Sequence, residues 1–460
     1  MTALAAPSFG WRFSLPLLVG AALNPVNSSI VATALVPIAA GLGESVGRIT
    51  VLVTVLYVAS AVAQPAMGRF AERFGPRRVF IAGAALVVVS GAIGAVAANL
   101  PTLIVARILL GIGTSAGFPT AMLMIRLRAD EAGEPPGRVL GALVISSQVT
   151  VLLGLPLGGL LVSVAGWRAT FWVNIPLAVV VTAMAWRWSP RDPNDRSAVG
   201  RRLLASDLDA AGIGLFGATL TLFVAFLVPL PTRHWIVLAG SIVCGIGLLW
   251  WELRTPDPFI DLRTLIHNRA LTSTYLRNAG TMSVAYGVMY GLTQWLQEAR
   301  GLSATLTGLL VLPMNFAGAV MAHVVSRRNR VRAPLLISAA VAIVVAVALR
   351  LVDIDTSAAM IILVTAVAGV VIGVATVGNQ SAVFAQAEAR EAGTTAGLLR
   401  TSTYVSAIAS GSVIGVVFRD GATDNGLHAI ADILIVVTVL VLALTAVDRR
   451  LPHRLQTDTA

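Results

Sequence analysis

An arginine, Arg107, interrupts the apolar run from 101 to 127 well inside its outer end, with Gly111 four residues on. An unpaired charge at that depth in hydrocarbon costs at least about 2.5–3.5 kcal/mol, so the side chain needs a partner, a wet path or an escape to the interface. Other polar side chains stand in equally apolar surroundings. Asn24, Asn27 and Ser28 surround Pro25, which removes a helical hydrogen bond, and together they make a polar patch able to meet a solute or to bond a neighbouring helix. Gln148 and Asn315 are divided evenly between those same two roles. Asn278, Met282, Tyr286, Tyr290 and Gln294 recur every four residues, one winding helical face of aromatic, thioether and amide groups. Such a face suits amphipathic organic molecules, with methionine repacking around different shapes, although a stripe of this kind also serves as a helix contact. Arg277 and Arg400 lie deep in two further runs. Either they reach back to the interface, or they make the interior tolerant of anions.

Long helices must hold these residues. Hydrophobic residues make up 57% of the chain and charged ones 12%, and the mean hydropathy is +0.84, well beyond what one water-soluble core needs. Apolar runs cover approximately 12–40, 49–68, 79–99, 101–127, 138–164, 167–187, 208–229, 233–252, 270–295, 302–326, 332–351, 356–383, 392–418 and 428–447. About 20 residues of helix cross the hydrocarbon core, and lipid offers the backbone no other partners, so the fold class is an all-α membrane protein with 14 transmembrane helices.

Charge supports this count. Of the 33 basic residues, all arginine, the two tails and the loops between even and odd runs hold 24, from Arg12 and Arg69 to Arg450 and Arg454, and the opposite loops hold only six. That asymmetry puts both termini in the cytoplasm and requires an even number of spans, with the cell (inner) membrane as the location. It also gives the net charge of +11 a membrane explanation, so no nucleic-acid partner is expected. The single cysteine, Cys244, and five scattered histidines offer neither a disulfide nor a metal site. No helix carries paired histidines or acids at i, i+4 spacing, which argues against a membrane enzyme, and without a lysine there is no phosphate-binding loop of the ATPase type. No cofactor, metal or catalytic residue is expected.

The turn-rich stretch from Ser189 to Asp207 reads as a linker, and a second connection runs from Arg254 to Arg269. Between them lie runs 7 and 8, with six runs before and six after. The domain reading is thus 1–188, an N-terminal six-helix bundle; 189–269, linkers with an inserted span pair; and 270–460, a C-terminal six-helix bundle with its tail. The basic loops after runs 2 and 10 match in charge, as two parallel repeats would.

One of those loops is Gly68-Arg69-Phe70-Ala71-Glu72-Arg73-Phe74-Gly75-Pro76-Arg77-Arg78. Its glycines permit a tight turn and close backbone approach, and Glu72 among arginines at a helix end can latch one side of the molecule. The loop resembles the signature of the major facilitator superfamily between spans 2 and 3, with Glu72 where that family usually has aspartate. Arg107-Ile-Leu-Leu-Gly111 is similar to its embedded-arginine motif. Gly154-Leu-Pro156-Leu-Gly158-Gly159 resembles its antiporter motif with the proline displaced by one place, and small residues at this spacing also bring helices close in any membrane bundle. Gly166-Trp167-Arg168 through Asn174-Ile-Pro176, and Glu252-Leu-Arg254 followed by Pro258 to Arg263, look like the fourteen-span drug and proton antiporter branch.

The resemblance implies a facilitator-fold secondary transporter that exports hydrophobic or amphipathic compounds by alternating access in exchange for protons. It gives Glu72, Arg73 and Arg77 a gating role and Arg107 a place on the proton or substrate path. The chain departs from that branch in span 1, where the usual acid is replaced by Asn27, which cannot exchange a proton at physiological pH. The alternative is therefore a lipid flippase or an exporter of an anionic metabolite of the same fold, not coupled through a span 1 carboxylate. A small-molecule substrate, protons and the bilayer are the expected partners, and a monomer suffices.

Overall fold

The computed structural model of the protein describes residues 9–44, 46–49, 51–192, 209–227, 235–256, 258–260, 263, 268–328, 330–388, 391–419 and 421–453. The linker expected at Ser189–Asp207 is described only to Asp192, and Arg196, Arg201, Arg202, Asp261, Arg390 and Arg454 lie outside the described residues.

Among the described residues every long apolar run is helical. In chain order the rods are α1 (Trp11–Leu42), α2 (Val51–Phe74), α3 (Pro76–Ala95), α4 (Leu100–Ala132), α5 (Gly137–Ala165), α6 (Ala169–Trp188), α7 (Ala210–Leu227), α8 (Trp235–Glu252), α9 (269–298), α10 (Ala304–Ser326), α11 (Arg332–Arg350), α12 (Ala358–Gln386), α13 (Ala392–Val417) and α14 (Asp424–Val447). Side-chain caps start several of them: Ser303 Oγ accepts from Leu306 N at 3.2 Å and Thr423 Oγ1 from Gly426 N at 3.1 Å.

Among the described residues, ten helices are long and apolar enough to cross a membrane, or eleven with the two parts of α5, which meet at 43°. The expectation of fourteen is met in part, and the shortfall has a physical reason. The described apolar stretch of α7 ends at Phe226, whereas α9 and α13 carry Arg277, Asn278, Arg400 and a run of hydroxyl residues. Helices that face a polar interior look least like membrane spans.

Two large apolar cores form at a distance from one another in sequence. One gathers Leu17, Phe80, Phe118, Met122 and Leu140 from α1, α3, α4 and α5; the other gathers Val288, Trp295, Ala346 and Ile430 from α9, α11 and α14. Between them, α2 packs along α13 and α10 along α5. Both α2 and α10 run into arginine-rich loops at the end of the molecule where these pairings close. The pair α7 and α8 stands beside the first of these seams, where Leu220 and Val224 meet Ala61 and Tyr404. Its base is tied by Asp209, which accepts from Trp251 Nε1 at 2.6 Å and Phe259 N at 2.8 Å.

Candidate functional site

At the end of the bundle that carries the termini, the Glu72 carboxylate reaches across to the first turn of α13, accepting from Thr394 N at 2.6 Å and from Thr394 Oγ1 at 2.8 Å. An acid there satisfies free N–H groups and faces the positive end of the helix dipole. The carboxylate thus contacts another helix, with Arg69 within electrostatic range of it. Arg73 is half-buried one residue on. Gly68 lies so close to Gly393 that a side chain at either would overlap backbone. Gly75, with φ of +95°, turns α2 into α3 in a conformation that favours glycine. Beyond it Asp192 accepts from Arg77 N at 3.0 Å and Arg78 N at 3.1 Å, and the Arg77 guanidinium bonds the Trp186 carbonyl. Asp192 thus caps α3, a partnership that no local pattern announced.

The seam continues inward. Thr401 Oγ1 donates to Ala61 O at 2.6 Å, and Gly397 rests on the backbone of Gln64 and Pro65. Beside it, Arg126 Nη1 donates to Phe384 O at 2.6 Å, linking α4 to α12. On the opposite end of the molecule the loop contacts, such as Arg168 Nη2 to Ala97 O at 3.2 Å and Trp295 Nε1 to Asp424 Oδ1 at 2.8 Å, stay within one half. The structure is closed on the terminal side.

Under that closure lies a polar centre. Asn24 Nδ2 donates to Ser60 Oγ and to Thr114 Oγ1, both at 2.9 Å, and its Oδ1 accepts from Tyr404 OH at 3.0 Å. One amide therefore joins α1, α2, α4 and α13. Tyr404 stands 5.8 Å from Tyr57, ring centre to ring centre, and Tyr286 stacks on Tyr290 at 5.6 Å. Arg400 completes the group, its guanidinium 4.0 Å from the centre of the Phe118 ring. Arg107 is fully buried, so it does not snorkel. Its Nε donates to Leu52 O at 3.2 Å, while both Nη atoms lack a partner.

The remaining sequence candidates separate. Asn27 is fully buried and turns back on its own helix, donating to Leu23 O at 2.9 Å and leaving Oδ1 unpaired. Gly154 and Gly158 hold α5 against α1 at Ser29 and Ile30, whereas Gly159 meets open space and Pro156 is exposed. Gln148 is half-buried against Gly318 of α10, and Asn315 is half-buried one turn before that glycine. The four-residue stripe of α9 does not act as one surface. Asn278 is used within the second half, its Nδ2 donating to Ser402 Oγ at 2.9 Å and Thr403 Oγ1 at 3.0 Å, and Gln294 donates to Glu298 Oε1 at 2.9 Å near the far end. The break is a π-helical turn at Gly287–Leu292, which adds a residue per turn and swings the rest of the helix by about 100°. Arg277 turns away from the polar centre too, buried and held by Asp448 at 3.3 Å. Tyr57, Thr394 and Tyr404 entered the site without any sequence signal beyond their types.

The family profile described as Major Facilitator Superfamily matches residues 17–411. The chain is 30% identical over 424 residues to an uncharacterized MFS-type transporter, YwoD of Bacillus subtilis (strain 168), covering 91% of this chain and 92% of that one. It is 25% identical over 429 residues to the tetracenomycin C resistance and export protein of Streptomyces glaucescens, covering 90% and 77% of the two chains. Among solved structures, the proton:xylose symporter XylE bound to 6-bromo-6-deoxy-D-glucose superposes with a TM-score of 0.66 at 11% identity over 95% of each chain, a likeness of fold.

Proposed function

This chain belongs to the major facilitator superfamily, and on that basis we propose that it is a secondary active transporter exporting hydrophobic or amphipathic, drug-like compounds by alternating access, driven by proton influx. It is a multi-pass membrane transporter rather than an enzyme. The reading takes all fourteen rods as spans, arranged as two six-helix bundles with α7 and α8 inserted between them, in the cell membrane with both termini cytoplasmic. The arginine asymmetry between loops supports that orientation, and the doubled seams α2 with α13 and α5 with α10 support the two-bundle plan.

The observation that carries the mechanism is the Glu72–Thr394 contact over the polar centre. A carboxylate docked on a helix start is strong when seated and readily replaced by water when the helices part, so it suits a gate that closes one side at a time. Opening that seam would expose Asn24, Tyr404 and Arg400 to the terminal side. Arg107, with unpaired donors beside α2, is the residue best placed to hold a water or a substrate oxygen on the path. The export named for the tetracenomycin C relative supports a drug-like substrate.

One observation favours a second reading, transport without proton coupling: α1 offers Asn27 in place of an acid. Reconstitution into vesicles separates the two. Under the first, an imposed pH gradient drives flux of an amphipathic dye and added dye dissipates the gradient; equal flux after the gradient is collapsed with an ionophore refutes proton coupling.

A further inference from the structure

Arg400 lies on α13 one turn before Tyr404 and is half-buried. Tyr286 and Tyr290 are likewise half-buried. Four of the five tyrosines of the chain gather here, because Tyr57 stands between Tyr404 and Tyr290 and the hydroxyls of Tyr286 and Tyr404 lie within electrostatic range of the guanidinium.

What Arg400 lacks is a counter-ion. Among the described residues no carboxylate pairs with it, and each element around it has spent its acids elsewhere. On α2, Glu72 is bound to Thr394; on α4, Asp130 and Glu131 pair with Arg126 and Arg128; on α9, Glu298 accepts from Ala422 N and Gln294. Arg277, equally deep in its helix, has Asp448 at 3.3 Å. Phe118 covers one face of the Arg400 guanidinium, which partly offsets its burial but uses none of its N–H donors.

We infer that the central site selects organic anions, seating a carboxylate or phenolate on Arg400 and a flat aromatic body against the stacked pair Tyr286 and Tyr290. The guanidinium fork matches an anionic oxygen pair, phenol hydroxyls add donors, and the tyrosine faces supply the apolar wall. An aromatic enclosure without Arg400 would suit a cation instead. Here that position is already taken by a fixed positive charge, which repels a second one. The inference rests on the polar centre being the substrate site of the proposed transporter.

Three probes of one shape test it: 9-anthracenecarboxylate, 9-anthracenemethanol and 9-(aminomethyl)anthracene, an anion, a neutral molecule and a cation at pH 7. Binding to purified protein in nanodiscs is read by fluorescence anisotropy. The carboxylate is expected to bind about 10- to 100-fold more tightly than the ammonium compound, the range of one or two charge-assisted hydrogen bonds. Arg400→Gln should erase that ratio, and Arg400→Lys should keep part of it. The ratio in the unaltered protein needs no variant, so it stands even if a substitution unfolds. Equal or tighter binding of the ammonium compound, a ratio intact in folded Arg400→Gln, or no binding of any probe overturns the inference. Anion preference with flux indifferent to the pH gradient would retain it and remove proton coupling instead.

Discussion

Adding one methyl group at Gly397 should prise the terminal side open. A Cβ there would sit 2.5 Å from the Gln64 carbonyl oxygen and 2.6 Å from both the Gln64 carbonyl carbon and Pro65 Cα. All three are backbone atoms of α2, so no rotamer change relieves the overlap and the helices must separate. Overpacking of this kind costs about 1–3 kcal/mol, and the strain falls only on the closed state, where Thr401 and Glu72 hold the same seam. A penalty confined to one of two states shifts their ratio by a factor of about 5 to 150. Spin labels at Glu134→Cys and Ala385→Cys, exposed sites at the terminal ends of α4 and α12, read that ratio in a Cys244→Ser background. In Gly397→Ala a longer-distance population should grow and export should slow. Gly411→Ala is the control, because a Cβ at that position on the same helix meets nothing within 4 Å. An unchanged distance distribution in folded Gly397→Ala, or an equal shift in Gly411→Ala, would refute the seam as the closing element.

Glu72→Gln keeps an acceptor for Thr394 but loses the charge facing the helix start, and should weaken closure by up to about 1.5–3 kcal/mol while leaving folded yield near normal; unaltered transport at normal expression rules this out. Arg107→Ala should abolish coupled flux, with Arg107→Lys an incomplete rescue since ammonium lacks the planar fork, and normal flux from either variant returns Arg107 to a packing role. Asp448→Asn strands buried Arg277 and should lower stability by about 3–5 kcal/mol, seen as a drop in thermal unfolding temperature with substrate preference intact; no change in unfolding would mean the pair is not formed. Asn27→Asp places a titratable group on α1 and should alter the pH dependence of transport or admit cationic substrates, so a native pH profile and substrate range would assign Asn27 to helix packing alone.

Local chemistry along the chain is enough to dictate the helices, their membrane setting and several of their contacts. A run of apolar residues in lipid has no option but to bond its own backbone, and close helix approach is borne out at Gly68, Gly154 and Gly158 but not at Gly159, which meets open space. For Arg107 the sequence leaves burial and escape to the interface both open, and packing decides for burial. Which polar groups meet is settled by long-range packing alone. Glu72 finds Thr394 across 322 residues, and Asn24 finds Tyr404 across 380. Arg277 and Arg400 look alike along the chain, yet one is neutralised by Asp448 and the other is left facing tyrosines. The stripe from Asn278 to Gln294 is one face only at a uniform helical period, and a π turn at Gly287–Leu292 keeps Tyr286 and Tyr290 together while removing Gln294. Periodicity is a property of consecutive residues and their hydrogen bonds. Partnership between helices distant in sequence depends on how their surfaces pack, and no spacing within one helix encodes it.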